Sequence, residues 1–299
     1  MVYDLLITNV MIVDGYWDFP YSGSVLIHEG LLEVVSACRV TLEAKEIFDG
    51  GGLYLVPGIV DINSIYSDRG SEYVWAVTTE VSVNPGPQPD VNRPWLQDYA
   101  ALKDSATACV DDSDPTEKEL PASFARSCSL GARGLSLDLC SFSASALDER
   151  FLPILSMVAS RDLLLLVHIT DSGQSLSVLE KLITLAHITR TRIHVAGERR
   201  GTEDTVVFEK NISSMIAEAA HSGLEISCAW YPDMAISSSL PRTVKQLCSL
   251  PADALRLETC GIIRTGYRAD LVLLSLDESN RPEVQAVWSG GKIVSDTGR

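Results

Sequence analysis

Five histidines, His28, His168, His187, His194 and His221, are the side chains best suited to acid–base or metal chemistry in this sequence. His168 closes the apolar run Leu163 to Val167, and His194 lies inside the run Arg192 to Ala196. An imidazole in either place makes a structural hydrogen bond or serves a pocket as a ligand, and the sequence leaves both open. His187 belongs to a helical pattern and His221 to a helix end, where the helix dipole accounts for it, while His28 belongs to a short strand. Tyr66-Ser67-Asp68 offers a hydroxyl and a carboxylate to a pocket, yet no base, nucleophile and orienting group come together as covalent catalysis needs. Arg199 and Arg200, in Gly-Glu-Arg-Arg-Gly, form the one basic cluster after an expected strand. They either receive a small carboxylate or amide ligand or temper an acidic surface. The seven cysteines are widely spaced, odd in number and without a Cys-x-x-Cys pair, which fits buried thiols in a reducing compartment.

Strand-like runs alternate with helix-length patterns through the middle of the chain. The expected strands are Ile59 to Ile62, Ala76 to Val83, Ala106 to Asp111, Gly134 to Leu139, Leu163 to His168, Arg192 to Ala196 and Leu224 to Ala229. Helical spacing marks Ala146 to Ala159, Ser175 to Ile188 and Glu209 to Ala220. Repeated strand then helix gives α/β with a largely parallel sheet, and seven strands are legible. Both ends differ in texture. Leu5 to Val13, interrupted at Asn9, Ser24 to His28 and Glu46 to Asp49 precede the middle; Ile262 to Leu276 and Val284 to Val294 follow it. Short strands at both ends are marginal alone, so the expected organisation is a small sheet domain assembled from residues 1–56 and 259–299, with an α/β domain inserted over 57–258.

The chain has 299 residues, 46% of them hydrophobic and 21% charged, enough for a packed core. Forty acidic residues against 24 basic ones give a net charge of −16, which repels nucleic acid and anionic membrane surfaces. No apolar run approaches the roughly 20 residues that span a bilayer. Asp4 and Asp14 interrupt an amino terminus without a basic leader, so no signal peptide and a cytoplasmic location are expected.

YDLLITNVMIVDG, IFDGGGLYLVPGIVDIN (Ile47 to Asn63), LPADALRL (Leu250 to Leu257), GIIRTGYRADLVLLSLD (Gly261 to Asp277) and VQAVWSGGKIV together resemble the amidohydrolase superfamily. Within it the resemblance is nearest to the N-acyl-D-amino-acid deacylases, or D-aminoacylases, with hydantoinases and dihydroorotases more distant. It implies a β-sandwich beside a TIM-like (β/α) barrel and a divalent metal held at the ends of the barrel strands. The family's Asp-x-His-x-His is here Asp61-Ile62-Asn63-Ser64-Ile65, so an amide and a hydrocarbon replace two imidazoles. Its Asn-Cys-Gly turn is here Asn84-Pro85-Gly86, without the thiolate. The ligands the resemblance leaves are His168 and His194, the latter with its register open by one or two residues. Asp61 is then a carboxylate bonding nearby loop amides. Only about 20 residues separate Tyr231-Pro232 from Leu250-Pro251, where the family places further strands and a catalytic aspartate. Asp233 is the sole nearby substitute base.

The expectation is therefore a contracted or incomplete barrel whose metal site is largely lost, without a cofactor, acting in assembly, regulation or ligand binding. Asp61, Asn63, Tyr66, Asp68, Arg199 and Arg200 are its candidate ligand-binding residues. Its open barrel calls for a homo-oligomer or a paralogous amidohydrolase subunit covering the region Trp230 to Ser249. The alternative is a zinc-dependent hydrolase of N-acyl-D-amino acids or cyclic amides with a mononuclear site at His168 and His194.

Overall fold

The computed structural model describes residues 2–37, 42–62, 76–80, 97–98, 103–104, 134–139, 147, 151–169, 174–198, 203–231 and 239–296. Two compact units divide the chain: Met1–Glu80 with Asp90–Asp98 and Met234–Arg299, and Val81–Pro89 with Tyr99–Asp233.

In the first unit β1 (Tyr3–Ile12), β2 (Tyr21–His28), β3 (Leu31–Ser36), β4 (Ala44–Asp49) and β5 (Tyr54–Pro57) come from the beginning of the chain. They share one eight-stranded sheet with three strands from its end, in the order β16-β15-β14-β5-β1-β2-β3, with β4 beside β1. Those late strands are β14 (Leu271–Leu276), β15 (Pro282–Ser289) and β16 (Lys292–Asp296). The sheet joins the ends through β5 and β14, antiparallel from Leu271↔Pro57 to Leu274↔Tyr54. Leu5, Ile7, Ile12, Val25, Ile27, Leu55, Leu271, Leu273 and Trp288 alternate along their strands and bury one face.

Asn9 explains how one strand serves two partners on the same edge. It takes φ 53°, and the register of β1 shifts between Ile7 and Val10. The bulge is held by Asn9 Nδ2 donating to Asp49 Oδ1 at 2.8 Å and by Gly52 N donating to Asn9 O at 2.7 Å. Before the bulge β1 pairs with β4, and after it with β5, both in parallel. Asn9 is therefore a pairing switch within one continuous strand.

Among the described residues, eight short parallel strands follow in chain order. β6 (Ile59–Asp61), β7 (Val77–Glu80) and β8 (Gln97–Asp98) form a sheet of three in the first unit. β9 (Lys103–Asp104), β10 (Gly134–Asp138), β11 (Leu164–Ile169), β12 (Arg192–Glu198) and β13 (Ile226–Tyr231) form a sheet of five in the second. Six of the seven expected strands are present here as β6, β7 and β10 to β13, and the sequence reading missed β8 and β9, which are only two residues each and have no periodicity to read. The expected strand Ala106 to Asp111 lies outside the described residues. The architecture is a contracted α/β barrel with a β-sandwich built from both termini.

Three helices cover one face of the five-stranded sheet: α1 (Leu152–Ser160), α2 (Ser175–Thr189) and α3 (Glu203–His221). α1 starts six residues later than Ala146, behind Phe151 and with Pro153 in its first turn, rather than at a serine cap. In the first unit α4 (Leu240–Val244), a π-helical turn Lys245–Ser249 and α5 (Leu250–Ala254) run as one segment. It packs on β6, and the Cys248 thiol donates to Pro57 O, at the end of β5, at 3.5 Å.

Candidate functional site

Period-two alternation divides the five-stranded sheet into two chemically different faces. Leu135 and Leu137 of β10 with Leu139 just after it, Leu165, Val167 and Ile169 of β11, Ile193 and Val195 of β12 and Trp230 of β13 join the core beneath the helices. Their alternate neighbours, Ser136, Leu166, His168, His194, Ala196, Ser227 and Ala229, occupy the opposite face. Ser136, Leu166, His194 and Ser227 lie in register as one row across four strands. His168 is in the next row towards the carboxyl ends, opposite Ala196.

Each histidine is tied to a serine on a neighbouring strand. Ser136 Oγ and His168 Nε2 are 2.7 Å apart, and His194 Nδ1 and Ser227 Oγ are 2.8 Å apart. His194 is wholly buried, and burial, reinforced by the charge of the nearby His168, pushes its pKa down to about 4. The ring is neutral at pH 7. Its Nε2 is buried and has no hydrogen-bond partner among the described residues. His168 is 7% exposed and so is nearly as enclosed.

By the pairing, His194 is two residues short of the level of His168, which is roughly 7 Å along a strand. Ala196 and Gly197, neither of them a side-chain donor, stand opposite His168 and Ile169. Gly197 is needed there because a Cβ would fall 2.2 Å from the Trp230 ring.

Asp61 ends β6 in the first unit, 6% exposed and in register with Glu80 of β7. Its strand enters through Pro57-Gly58, where Gly58 N donates to Asp270 O at 2.9 Å. Asn63, Tyr66, Asp68, Arg199, Arg200 and Asp233, and the turn Asn84-Pro85-Gly86, lie outside the described residues. Of the expected site residues, His168 and His194 therefore share a sheet face, and Asp61 is placed in the other unit. The sequence reading missed Ser136 and Ser227. Their signal was available: each is a lone hydroxyl at an alternate position within an apolar strand.

Zinc binding calls for three or four nitrogen, sulfur or carboxylate donors converging on one point. Among the described residues no group of three or more His, Cys, Asp or Glu converges in that way. His168 and His194 stand on different levels, each with one ring nitrogen committed to a serine. By sequence, Asn63 and Ile65 add an amide and a hydrocarbon. These residues do not fit the zinc site that the fold implies.

No protein-family model matches the chain. A curated adenine deaminase from Desulforamulus reducens is 45% identical over 58 residues, which is 19% of this chain and 10% of that protein. Solved structures match throughout. An N-acyl-D-glutamate deacylase from Bordetella bronchiseptica, complexed with zinc and a phosphonate inhibitor, superimposes with TM-score 0.73 at 14% identity, covering 100% of this chain and 98% of its own. An L-hydantoinase from Arthrobacter aurescens gives 0.72 at 15% identity, covering 100% and 97%. A D-aminoacylase gives 0.74 at 12% identity, covering 99% and 97%. The chain has the amidohydrolase fold, and likeness at this level of identity concerns fold and not activity.

Proposed function

We propose that this chain is a degenerate amidohydrolase that does not perform metal-dependent hydrolysis and acts as an assembly, regulatory or ligand-binding component. The observation that carries the reading is the placement of His194. It is buried one side-chain level below His168, hydrogen-bonded to Ser227 and held neutral. An imidazole in that position serves the interior of the sheet, while the strand end opposite His168 bears alanine and glycine. The loss of imidazoles at Asn63 and Ile65 supports the same reading. Its partner is a second copy or a paralogous amidohydrolase subunit, its ligand a small carboxylate or amide, and its setting a reducing cytoplasm.

A second reading has one observation in its favour. The Nε2 of His194 has no hydrogen-bond partner among the described residues and lies on the same sheet face as His168, which suits an atypical mononuclear hydrolase of N-acyl-D-amino acids or cyclic amides. Elemental analysis after dialysis against a weak chelator, together with N-acetyl-D-amino-acid and hydantoin hydrolysis assays, separates the two. The proposal expects zinc well below one atom per chain and no turnover above the protein-free rate. Close to one zinc per chain with turnover that His168→Ala abolishes would refute it.

A further inference from the structure

The turn between β1 and β2 combines firm anchorage with exposed aromatic rings. Asp14, only 6% exposed, accepts at Oδ1 from Tyr16 N and Trp17 N, both at 2.9 Å. Its carbonyl accepts from Ile263 N, and Ser249 Oγ donates to Gly15 O, each at 2.9 Å. Gly15 takes φ +82°, and a Cβ there would lie 2.9 Å from Gly261 O. Lys245 pairs with Asp18 at 2.5 Å. The loop is thus fixed to two separate stretches of the first unit, around Lys245 to Ser249 and around Gly261 to Ile263.

Its side chains are not used to build that unit. Tyr16, Trp17 and Phe19 are 67%, 52% and 59% exposed. The Tyr16 and Trp17 rings meet edge to face at 5.3 Å, and Trp17 and Phe19 stack at 5.9 Å. Folding gains little from area left in water, whereas a rigid group of aromatic faces loses little entropy when a partner covers it. Single exposed aliphatic residues elsewhere are ordinary surface, but three adjoining rings held in one geometry form a patch.

Charge indicates what covers it. The chain carries −16, and the Asp18 side chain, between two of the rings in sequence, is 87% exposed. Anionic lipid, nucleic acid and another copy with the same net charge are disfavoured by this field, and a cation is attracted. Aromatic faces add to that attraction, since a guanidinium or ammonium stacks on the ring quadrupole. We propose that Tyr16, Trp17, Asp18 and Phe19 form a docking surface for a basic segment of a partner protein, whose arginine or lysine side chains stack on the rings and approach Asp18. This surface is independent of whether the chain hydrolyses anything.

The experiment uses the full chain labelled with 5-fluorotryptophan, with the Trp17 resonance assigned by Trp17→Phe among the five tryptophans. The probe is a short peptide of alternating arginine and glycine, with the glutamate and glycine counterpart as control. Saturable movement of the Trp17 resonance with the arginine peptide alone is expected. Affinity should fall about tenfold or more in the double variant Tyr16→Ser, Phe19→Ser. Asp18→Asn, which also gives up the ion pair to Lys245, should weaken binding and reduce its salt dependence, while Lys245→Gln, which loses the same pair and keeps the carboxylate, should not weaken binding. An unmoved Trp17 resonance, equal response to the acidic peptide, or undiminished affinity in the double variant would overturn the proposal. So would Trp17 movement with protein concentration alone, which would make a second copy the occupant, or with vesicles of anionic phospholipid.

Discussion

Replacing His194 by asparagine removes a titrating ring while keeping an amide near the position of Nδ1, within reach of Ser227. In the folded chain burial and His168 hold the imidazole at about 4, whereas in the unfolded chain it returns to 6.5. Protons therefore bind the unfolded state first. Stability from the neutral ring is complete above pH 6.5 and is lost as pH falls from there towards 4. The full difference amounts to about 3 kcal/mol, of which about 2 kcal/mol is lost by about pH 5. His194→Asn should lower stability at pH 7 through imperfect packing, and should remove that acid sensitivity. Hydrogen exchange of the β12 amides is the suitable measurement, because it follows the unit that contains the ring without requiring the whole chain to unfold in one step. Between pH 7 and about pH 5 the wild-type chain should lose about 2 kcal/mol more protection than the variant. Equal pH dependence, within about 0.5 kcal/mol, would show that the ring is not buried neutral.

Gly197→Ala should destabilise the second unit by about 2 kcal/mol or more, since its Cβ meets the buried Trp230 ring at 2.2 Å; thermal melting checks it, and Trp230→Leu in the same chain should recover part of the loss. Deleting Gly261–Arg299 removes β14 to β16 and strips β5 of its antiparallel neighbour. The truncated chain should lose the cooperative melt, and an unchanged melting temperature would show that the two ends do not depend on each other. Light scattering at micromolar concentration, on the chain alone and as co-purified from its source, is expected to give a mass above 32.5 kDa in at least one preparation. The monomer mass in both would refute the assembly reading.

The sheet built from both ends was legible because its strands carry their own boundaries. Asp14-Gly15, Glu29-Gly30 and Ser289-Gly290-Gly291 announce turns, and Glu29, Gly30, Gly290 and Gly291 do adopt positive φ. β3 escaped because Leu31–Ser36 has only one buried residue, Leu32, leaving no alternation to read. Asn9 looked like an interruption of β1 and is a bulge inside it. No local pattern separates those outcomes, since the bulge is defined by which strands arrive on its edge from Ala44–Asp49 and Tyr54–Pro57. Helix α3 begins at Glu203, six residues ahead of the expected Glu209, because Val206 and Val207 extend it while remaining exposed and so do not enter an amphipathic count.

The site was legible in composition and not in level. Sequence shows that histidines fall in two neighbouring strands, and a family pattern invites their use as a pair. What decides their chemistry is where each strand begins to pair, because in a parallel sheet a two-residue offset keeps a side chain on the same face and moves it about 7 Å along. The described pairing begins with Arg192 opposite Leu164, and Arg192 is 8% exposed at the start of β12, its guanidinium donating to Asp162 O at 2.7 Å and approaching Glu225. With Arg192 fixed opposite Leu164, His194 must fall opposite Leu166 and Ser227. The level of the second imidazole follows from the register of β12 on β11 and β13, which the buried faces of all three strands set together, and a reading confined to the histidines has no access to it.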